Sequence, residues 1–152
     1  MTSLRRDLDI AGLTPCVEKY NPAFMTTVRI LLADDHDDVR RGVRTILERE
    51  RGWIVCGEVS TGSDAVARAV DLQPDVVLLD MSMPELNGLE AARQIRRLVT
   101  AKILILTVHE IDELQNEVLG AGAHGCVLKA DAGRSLVPAI RAVLASGASS
   151  VT

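Results

Sequence analysis

Short apolar runs alternate with amphipathic stretches along this chain. The apolar runs are rich in Val, Ile and Leu without polar alternation, which is typical of strands buried on both faces of a parallel sheet. They cover residues 28–33, 53–59, 75–80, 102–107 and 124–129. Apolar residues recur at helical spacing over about 37–50, 61–72, 88–97, 110–120 and 136–146. Five strands alternating with five helices predict an α/β fold with helices on both faces of the sheet and right-handed crossovers.

Individual residues mark where some of these helices begin. Asp37 and Asp38 fall in the first turn of the first helix, where the helix dipole favours anions. Thr61 or Ser63 can cap the second helix. Pro138 is expected in the first turn of the last helix, where a missing backbone N–H costs little.

The pattern predicts one folded domain with an extension at each end. A chain of 152 residues with 47% hydrophobic content can bury one core but is short for two. Residues 1–27 have mixed polarity and weak periodicity, and we interpret them as a flexible N-terminal extension. The domain then covers residues 28–146, and residues 147–152 form a C-terminal tail or the start of a linker.

Charge and cysteine content exclude several classes of function. The chain has 17 Lys and Arg against 21 Asp and Glu, a net charge of −4, so we expect no direct nucleic acid binding. Its three cysteines lack a CxxC spacing, which favours reduced thiols over a disulfide framework or a zinc site. The sequence offers no membrane span and no signal-peptide pattern. A cytoplasmic location is therefore expected.

Polar residues follow four of the predicted strands at the point where each strand ends. They are Asp34-Asp35, Asp80, Thr107 and Lys129. Open α/β sheets bind ligands outside the carboxyl ends of their strands, where the strand order reverses. Carboxylates, a hydroxyl and an ammonium gathered there suit a divalent cation and a phosphoryl group.

Four segments carry these residues, in the order LLADDHDDVRRGV, VVLLDMSMPELNGLEA, ILILTVHE and GAHGCVLKA. Together they resemble the receiver domain of bacterial two-component response regulators. The resemblance implies a flavodoxin-like, doubly wound (βα)5 fold with strand order 2-1-3-4-5. Ala130 follows Lys129 where many receivers have proline, and this resembles the NarL/FixJ branch of transcriptional regulators.

The resemblance also implies a role for each site residue. Asp80 would take a phosphoryl group from a sensor histidine kinase or a phosphotransfer protein. Mg²⁺ would be held directly by Asp35 and Asp80, through water by Asp34, and by the backbone carbonyl of Ser82. Lys129 and the Thr107 hydroxyl would contact oxygens of the phosphoryl group. The protein would then be a signalling switch that catalyses only its own phosphorylation and slow dephosphorylation.

Two departures from the family pattern concern output. The switch position is Cys126, whereas the usual occupant is aromatic or histidine, so the familiar rotation of a ring cannot occur. Members of the NarL/FixJ branch carry a helix-turn-helix domain after the receiver, but this sequence ends at Thr152. It is either a stand-alone receiver or a shortened regulator.

Two other functions compete with the phosphorylatable receiver. A haloacid-dehalogenase-like Mg²⁺ phosphohydrolase also uses an aspartate at a strand end, but it places a second aspartate two residues later, where this chain has Ser82. A pseudo-receiver would keep the fold for protein binding alone. The residue at position 126 is the best support for that alternative.

Two further patterns carry less weight. Residues 120–125 satisfy G-x-G-x-x-G, but they close a helix and lead into a strand, so a helix cap and a tight turn are favoured over a dinucleotide site. His36, His109 and His124 share no metal-ligand spacing. A histidine metal site is accordingly not favoured.

The surface offers two candidate partner faces. The first and third helices are rich in arginine, which predicts a solvated face or a docking face for an acidic helix. The face made by the fourth helix, the fifth strand and the fifth helix is the other candidate, for output or for a homodimer. The arginines of the first face are Arg40, Arg41, Arg44, Arg49, Arg51, Arg93, Arg96 and Arg97.

Overall fold

A computed structural model describes the backbone of residues 27–150 and the side chains of residues 27–146. The predicted N-terminal extension therefore lies outside the described residues, apart from Thr27. Strands and helices alternate along the described chain. They are β1 (Val28–Ala33), α1 (Asp37–Glu48), β2 (Trp53–Val59), α2 (Gly62–Leu72), β3 (Val76–Asp80), α3 (Gly88–Leu98), β4 (Lys102–Thr107), α4 (Ile111–Gly120), β5 (Gly125–Leu128) and α5 (Ala132–Ser150).

The strands form one parallel sheet with the order β2-β1-β3-β4-β5. This order confirms the 2-1-3-4-5 arrangement and the doubly wound fold that the family resemblance implies. The direction of winding reverses between β1 and β3, which lie side by side with Ala33 opposite Leu79. A reversal of this kind opens a crevice at the carboxyl ends of the two strands.

Each strand sends alternate side chains into two separate cores. In β1, Ile30 and Leu32 face α1 and α5, whereas Leu31 and Ala33 face α2, α3 and α4. β3 is buried along its whole length, as expected for a strand that is covered on both faces. This rigid, aliphatic sheet fixes the positions of the residues at its carboxyl edge.

The last helix differs from its predicted position. It begins at Ala132, about four residues earlier than predicted, and its backbone continues to Ser150, beyond the predicted boundary at 146. Buried Ala132 and Leu136 anchor its first turns against the core. Pro138 consequently lies inside the helix and not in its first turn. A proline at this position removes one backbone hydrogen bond of the helix.

The start of the last helix also changes the setting of Lys129. This residue does not end β5, as predicted, but begins a 3₁₀ turn, Lys129–Asp131, that leads directly into α5. No loop separates this turn from α5. Short 3₁₀ turns are common at the N-terminal ends of α-helices.

The structure shows how α2 begins and how the chain turns after α4. The Thr61 hydroxyl accepts a hydrogen bond of 3.0 Å from the backbone N–H of Asp64, so Thr61 and not Ser63 caps α2. Gly122 follows α4 with a φ of +88°, which confirms the predicted turn.

The amino edge of the sheet contains a partly buried histidine whose polar groups are paired. The backbone N–H of Ile103 donates a 3.0 Å hydrogen bond to Nδ1 of His124, and the His124 N–H donates a 2.7 Å bond to the Ile103 carbonyl. Burial, followed by the charges of Lys102 and Arg96, lowers the pKa of the His124 ring. We call this pair, Ile103 and His124, the histidine corner.

Two of the three cysteines lie within the described range. Cys56 and Cys126 are free, partly buried thiols, while Cys16 lies among the residues that are not described. None of the helices within residues 27–150 is long and apolar enough to cross a membrane.

Candidate functional site

The carboxyl edge of the sheet brings four of the predicted site residues together. Asp34 directly follows β1, Asp80 ends β3, and Lys129 follows β5. Asp34 and Asp80 are almost completely buried, with residue exposures of 0% and 3%. We call Asp34, Asp35, Asp80 and Lys129 the carboxylate pocket.

Lys129 links the two buried carboxylates. Its Nζ lies 2.9 Å from Oδ2 of Asp34 and 2.9 Å from Oδ1 of Asp80. Burial opposes the charge of Lys129, but the two carboxylates outweigh this effect and raise the pKa of the ammonium. Lys129 is therefore charged at neutral pH and holds the pocket together.

One ammonium does not compensate for three carboxylates. Burial raises the pKa of Asp80, and the charge of Asp34 adds to this rise, while Lys129 and the Ser82 N–H oppose it. Among the described residues, Oδ2 of Asp80 has no hydrogen-bond partner although it is buried. An unpaired buried carboxylate oxygen is costly in free energy. The pocket thus lacks a positive charge beside Oδ2 of Asp80.

The ligand atoms of this pocket fit a divalent cation. One atom each from Asp34, Asp35, His36 and Asp80 lie within 4.8 Å of one another. Carboxylate oxygens are the donors that Mg²⁺ prefers, and it commonly retains water as well. The unpaired Oδ2 of Asp80 supports the same fit, because a bound cation would satisfy it.

The β3–α3 loop forms the open side of the site. Ser82 and Asp35 line a cleft of about 610 Å³, together with residues of this loop and the start of α3. Gly88 packs tightly under the loop, and a Cβ placed on it would come within 2.3 Å of the Asp80 carbonyl oxygen. The absence of a side chain at Gly88 therefore permits the position of Asp80.

Thr107 and Cys126 lie on the strands beyond Asp80. Thr107 ends β4, is fully buried, and its Oγ1 accepts a 3.0 Å hydrogen bond from the His109 N–H. No hydrogen bond or ion pair within the described part of the chain joins Thr107 to the carboxylates. Cys126, on β5, packs against the core under α2, α3 and α4, and burial raises the pKa of its thiol.

Two residues that contact the acidic loop were not predicted from the sequence to belong to the site. His36 donates its backbone N–H to Oδ1 of Asp34 at 2.9 Å, and its ring Nδ1 lies 3.0 Å from carboxylate oxygens of both Asp34 and Asp35. The hydrogen bond to Asp34, then the charge of Asp35, raises the pKa of this ring. The only sequence signal is its place directly after the acidic pair.

Arg40 is the second such residue. Its guanidinium donates to the backbone carbonyl of Asp34 and pairs with Asp37 and with Glu58 of β2. These contacts fix the loop that carries the acidic pair. The spacing of six residues between Asp34 and Arg40 gives no hint of this contact, because it depends on how the loop turns into α1.

The parallel sheet and its acidic edge define the class as a CheY-like flavodoxin fold. The model of the family described as "Response regulator receiver domain" matches residues 30–141. The chain belongs to this family of two-component signalling switches. The resemblance proposed from the sequence is thereby confirmed.

Three individual proteins illustrate the relationship. The response regulator UvrY of Escherichia coli (strain K12) is 48% identical over 117 residues, covering 76% of this chain and 54% of UvrY. The transcriptional regulatory protein LiaR of Bacillus subtilis (strain 168) is 42% identical over 116 residues, covering 76% and 55%. The crystal structure of a LuxR-family two-component response regulator from Aurantimonas sp. SI85-9A1 has a TM-score of 0.75 and 38% identity, covering 80% and 87%.

These similarities confirm the predicted NarL/FixJ-type branch. The chain spans about half the length of UvrY and LiaR, since it covers 54% and 55% of them. The activities of those whole proteins therefore reach this chain only as proposals.

Proposed function

We propose that Asp80 accepts a phosphoryl group from a sensor histidine kinase or a phosphotransfer protein, with Mg²⁺ bound in the carboxylate pocket. Membership of the receiver family supports this assignment. The single observation that carries it is the position of Lys129 Nζ, 2.9 Å from both Asp34 and Asp80, beside an Asp80 oxygen without a hydrogen bond. Such a pocket is suited to bind a phosphoryl group and its metal.

The proposed reaction exchanges one bond to phosphorus for another. A carboxylate oxygen of Asp80 attacks the phosphorus of a phosphohistidine, the P–N bond breaks, and its electron pair returns to the donor imidazole, which takes up a proton. The carboxylate is already ionised and needs no general base. Lys129 stabilises the negative charge on a phosphoryl oxygen, and the Thr107 hydroxyl donates to another.

The metal would be held by side chains that the carboxylate pocket already contains. Asp35 and Asp80 would bind it directly, Asp34 through water, and the Ser82 carbonyl would add a further oxygen. A bound Mg²⁺ would neutralise charge between the carboxylates and the phosphoryl group, since phosphoryl transfer depends on positioning and electrostatic stabilisation. The pocket's excess of negative charge supports this proposal.

Phosphorylation would act as a signal and not as a step in metabolism. The protein would catalyse only its own phosphorylation and slow dephosphorylation. The transcriptional role of LiaR supports an output in transcription for this chain, within a receiver domain of residues 28–146. Homodimer formation and a cytoplasmic location stay predictions.

The coupling of phosphorylation to output requires a different movement from the family's usual one. Cys126 has no ring to rotate, and its side chain packs against the core on the α4 side of the sheet. We propose that movement of the exposed Val108 and His109, which follow Thr107, takes the place of the ring. Their backbone is tied to Thr107 through the bond from the His109 N–H.

Acetyl phosphate provides the direct test. Incubation with Mg²⁺ should add one phosphoryl group to the intact mass of the protein, and amide chemical shifts should change from Asp80 to α4. An adduct with shifts confined to the pocket would indicate phosphorylation without coupling. The absence of any adduct would contradict the proposal and favour the pseudo-receiver, whose main support is Cys126.

A further inference from the structure

The end of β2 holds the backbone of Asp34 from two sides. The Asp34 N–H donates a 3.0 Å hydrogen bond to the carbonyl of Val59, the last residue of β2. The Asp34 carbonyl accepts a hydrogen bond from the guanidinium of Arg40, and Arg40 is paired with Glu58, the residue before Val59. The direction in which the Asp34 carboxylate points therefore depends on β2 as well as on β1.

Arg40 provides the side-chain part of this connection. Its side chain is only 17% exposed. Its Nε lies 3.2 Å from Oε1 of Glu58, while its other nitrogens meet the Asp34 carbonyl and the Asp37 carboxylate. A guanidinium is planar and rigid, so the position of one nitrogen fixes the directions of the other two. The contact with Glu58 consequently orients the nitrogen that donates to Asp34.

The two carboxylates around Arg40 differ in burial. The Asp37 side chain is 78% exposed, whereas the Glu58 side chain is 27% exposed. An exposed ion pair contributes little, because water and salt screen it and both side chains lose freedom. A partly buried pair is screened less. Glu58 is therefore the carboxylate that determines the position of Arg40.

A second arginine fixes Glu58 in turn. The other oxygen of Glu58, Oε2, pairs with Arg44, one turn after Arg40 on α1. This hydrogen bond is the largest cause that raises the pKa of the Arg44 guanidinium. Arg44 also lies near Glu48, with 3.3 Å between its Nε and a carboxylate oxygen. Because each oxygen of Glu58 binds a different guanidinium, the carboxylate cannot rotate without losing both contacts.

We propose that Glu58 is a positioning residue of the carboxylate pocket, which sets the Mg²⁺ affinity through Arg40 and the backbone of Asp34. Glu58 is not among the described residues whose ligand atoms cluster in the pocket, so it acts through its neighbours. Without it, the Arg40 guanidinium turns toward Asp37 and solvent, and the acidic loop must be ordered when the metal binds. Groups that orient metal ligands in this way affect metal affinity. This inference rests on the proposed function, because it concerns the same metal site.

Calorimetric titration of the full chain with Mg²⁺ tests the proposal on a matched pair of variants. Glu58→Ala and Glu48→Ala each remove one carboxylate from Arg44, but only the first removes a carboxylate from Arg40. Glu58→Ala should weaken Mg²⁺ binding about threefold, whereas Glu48→Ala should leave it unchanged. Glu58→Gln keeps one oxygen as an acceptor and should recover part of the lost affinity.

A double variant tests whether Glu58 acts through Arg40. In the Arg40→Gln background the guanidinium is already absent, so adding Glu58→Ala should cause no further loss of Mg²⁺ affinity. The two losses are then not additive, as expected for residues in one network. Additive losses would overturn the proposal, because they would mean that the charge of Glu58 acts on the metal independently of Arg40.

The outcomes separate this inference from the proposed function. Urea denaturation without Mg²⁺ would measure the stability of each variant. A loss of stability in Glu58→Ala with unchanged Mg²⁺ affinity would show a purely structural role and overturn the proposal. If Glu58→Ala does not fold, Glu58→Gln replaces it, and an affinity equal to that of the wild type would overturn the role of Glu58. A wild-type protein that binds no Mg²⁺ would instead contradict the metal site of the proposed function itself.

Discussion

The two edges of the sheet differ in whether their polar groups have hydrogen-bond partners. At the amino edge, the histidine corner pairs the ring Nδ1 and the backbone N–H of His124 with the backbone of Ile103. At the carboxyl edge, the carboxylate pocket buries Asp34 and Asp80 with one shared ammonium and leaves an Asp80 oxygen unpaired. Polar groups that are paired, as in the histidine corner, stabilise the fold. A buried carboxylate oxygen without a partner, as in Asp80, instead marks a binding site.

The largest effect should come from removing the phosphoacceptor charge. Asp80→Asn should abolish labelling by acetyl phosphate completely. The same variant should raise the free energy of unfolding by about 1 kcal/mol, because it removes one excess buried negative charge. Lys129 would still form its ion pair with Asp34. Intact-mass analysis and urea denaturation would measure the two effects. A large loss of stability would mean that the pocket is a structural ion-pair network.

Gly88→Ala should disrupt the carboxylate pocket by displacing the backbone of Asp80. The added Cβ would lie 2.3 Å from the Asp80 carbonyl oxygen, so the loop must move. We expect the free energy of unfolding to fall by about 1–3 kcal/mol. Phosphoryl labelling should fall strongly as well. Urea denaturation would measure the cost. Gly42→Ala is the control, because nothing lies within 4 Å of its Cβ; this helix position should gain about 0.5–1 kcal/mol. Equal effects of the two substitutions would contradict the close contact.

His124→Ala should break the amino edge and sharpen the contrast with Asp80→Asn. The backbone N–H of Ile103 would lose its acceptor, which should lower the free energy of unfolding by about 1–3 kcal/mol. Acetyl phosphate labelling should persist, because the corner lies at the opposite edge of the sheet. Loss of labelling in a folded variant would show that the two edges are not independent.

The histidine corner also predicts how stability depends on pH. The pKa of His124 is lowered in the folded protein from its ordinary value of 6.5, so the unfolded chain binds the proton more tightly. Its contribution to stability is therefore present above about pH 6.5 and is lost as the pH falls. The free energy of unfolding should fall less steeply between pH 7 and pH 5 in His124→Ala than in the wild type. Identical slopes would show that His124 is not responsible.

Arg40→Gln should have the smallest effect among these variants. The substitution removes the guanidinium that contacts the Asp34 carbonyl and Glu58, so the acidic loop should become less ordered. We expect Mg²⁺ affinity to fall about threefold to tenfold, equivalent to roughly 0.6–1.4 kcal/mol. Calorimetry would measure it, with the exposed neighbour Arg41→Gln as control. Equal Mg²⁺ affinity in both variants would show that Arg40 does not order the acidic loop.

The sequence was sufficient for the sheet and for part of the site, for a clear physical reason. Strands buried on both faces need continuous apolar runs, and the polar residues that interrupt those runs at Asp34, Asp80 and Thr107 mark the carboxyl edge. Strand order, by contrast, came from the family resemblance, because apolar runs do not specify their neighbours. The structure then brought Lys129 to both carboxylates.

Other features depend on three-dimensional contacts that the sequence pattern does not carry. The start of α5 was predicted too late because Pro138 suggested a first turn, whereas buried Ala132 and Leu136 hold the earlier turns. His36 and Arg40 were missed because their contacts arise from the turn between β1 and α1. The closeness of Gly88 to Asp80 likewise appears only when the loop folds back.

Mapping the phosphoryl group on the protein tests the central claim most directly. After reaction with Mg²⁺ and acetyl phosphate, borohydride reduction would convert a phosphorylated aspartate to homoserine, and peptide mass spectrometry would locate it. We expect modification at Asp80 alone and none in Asp80→Asn. Modification at Asp34 or Asp35, or at no residue in a folded and metal-loaded protein, would contradict it.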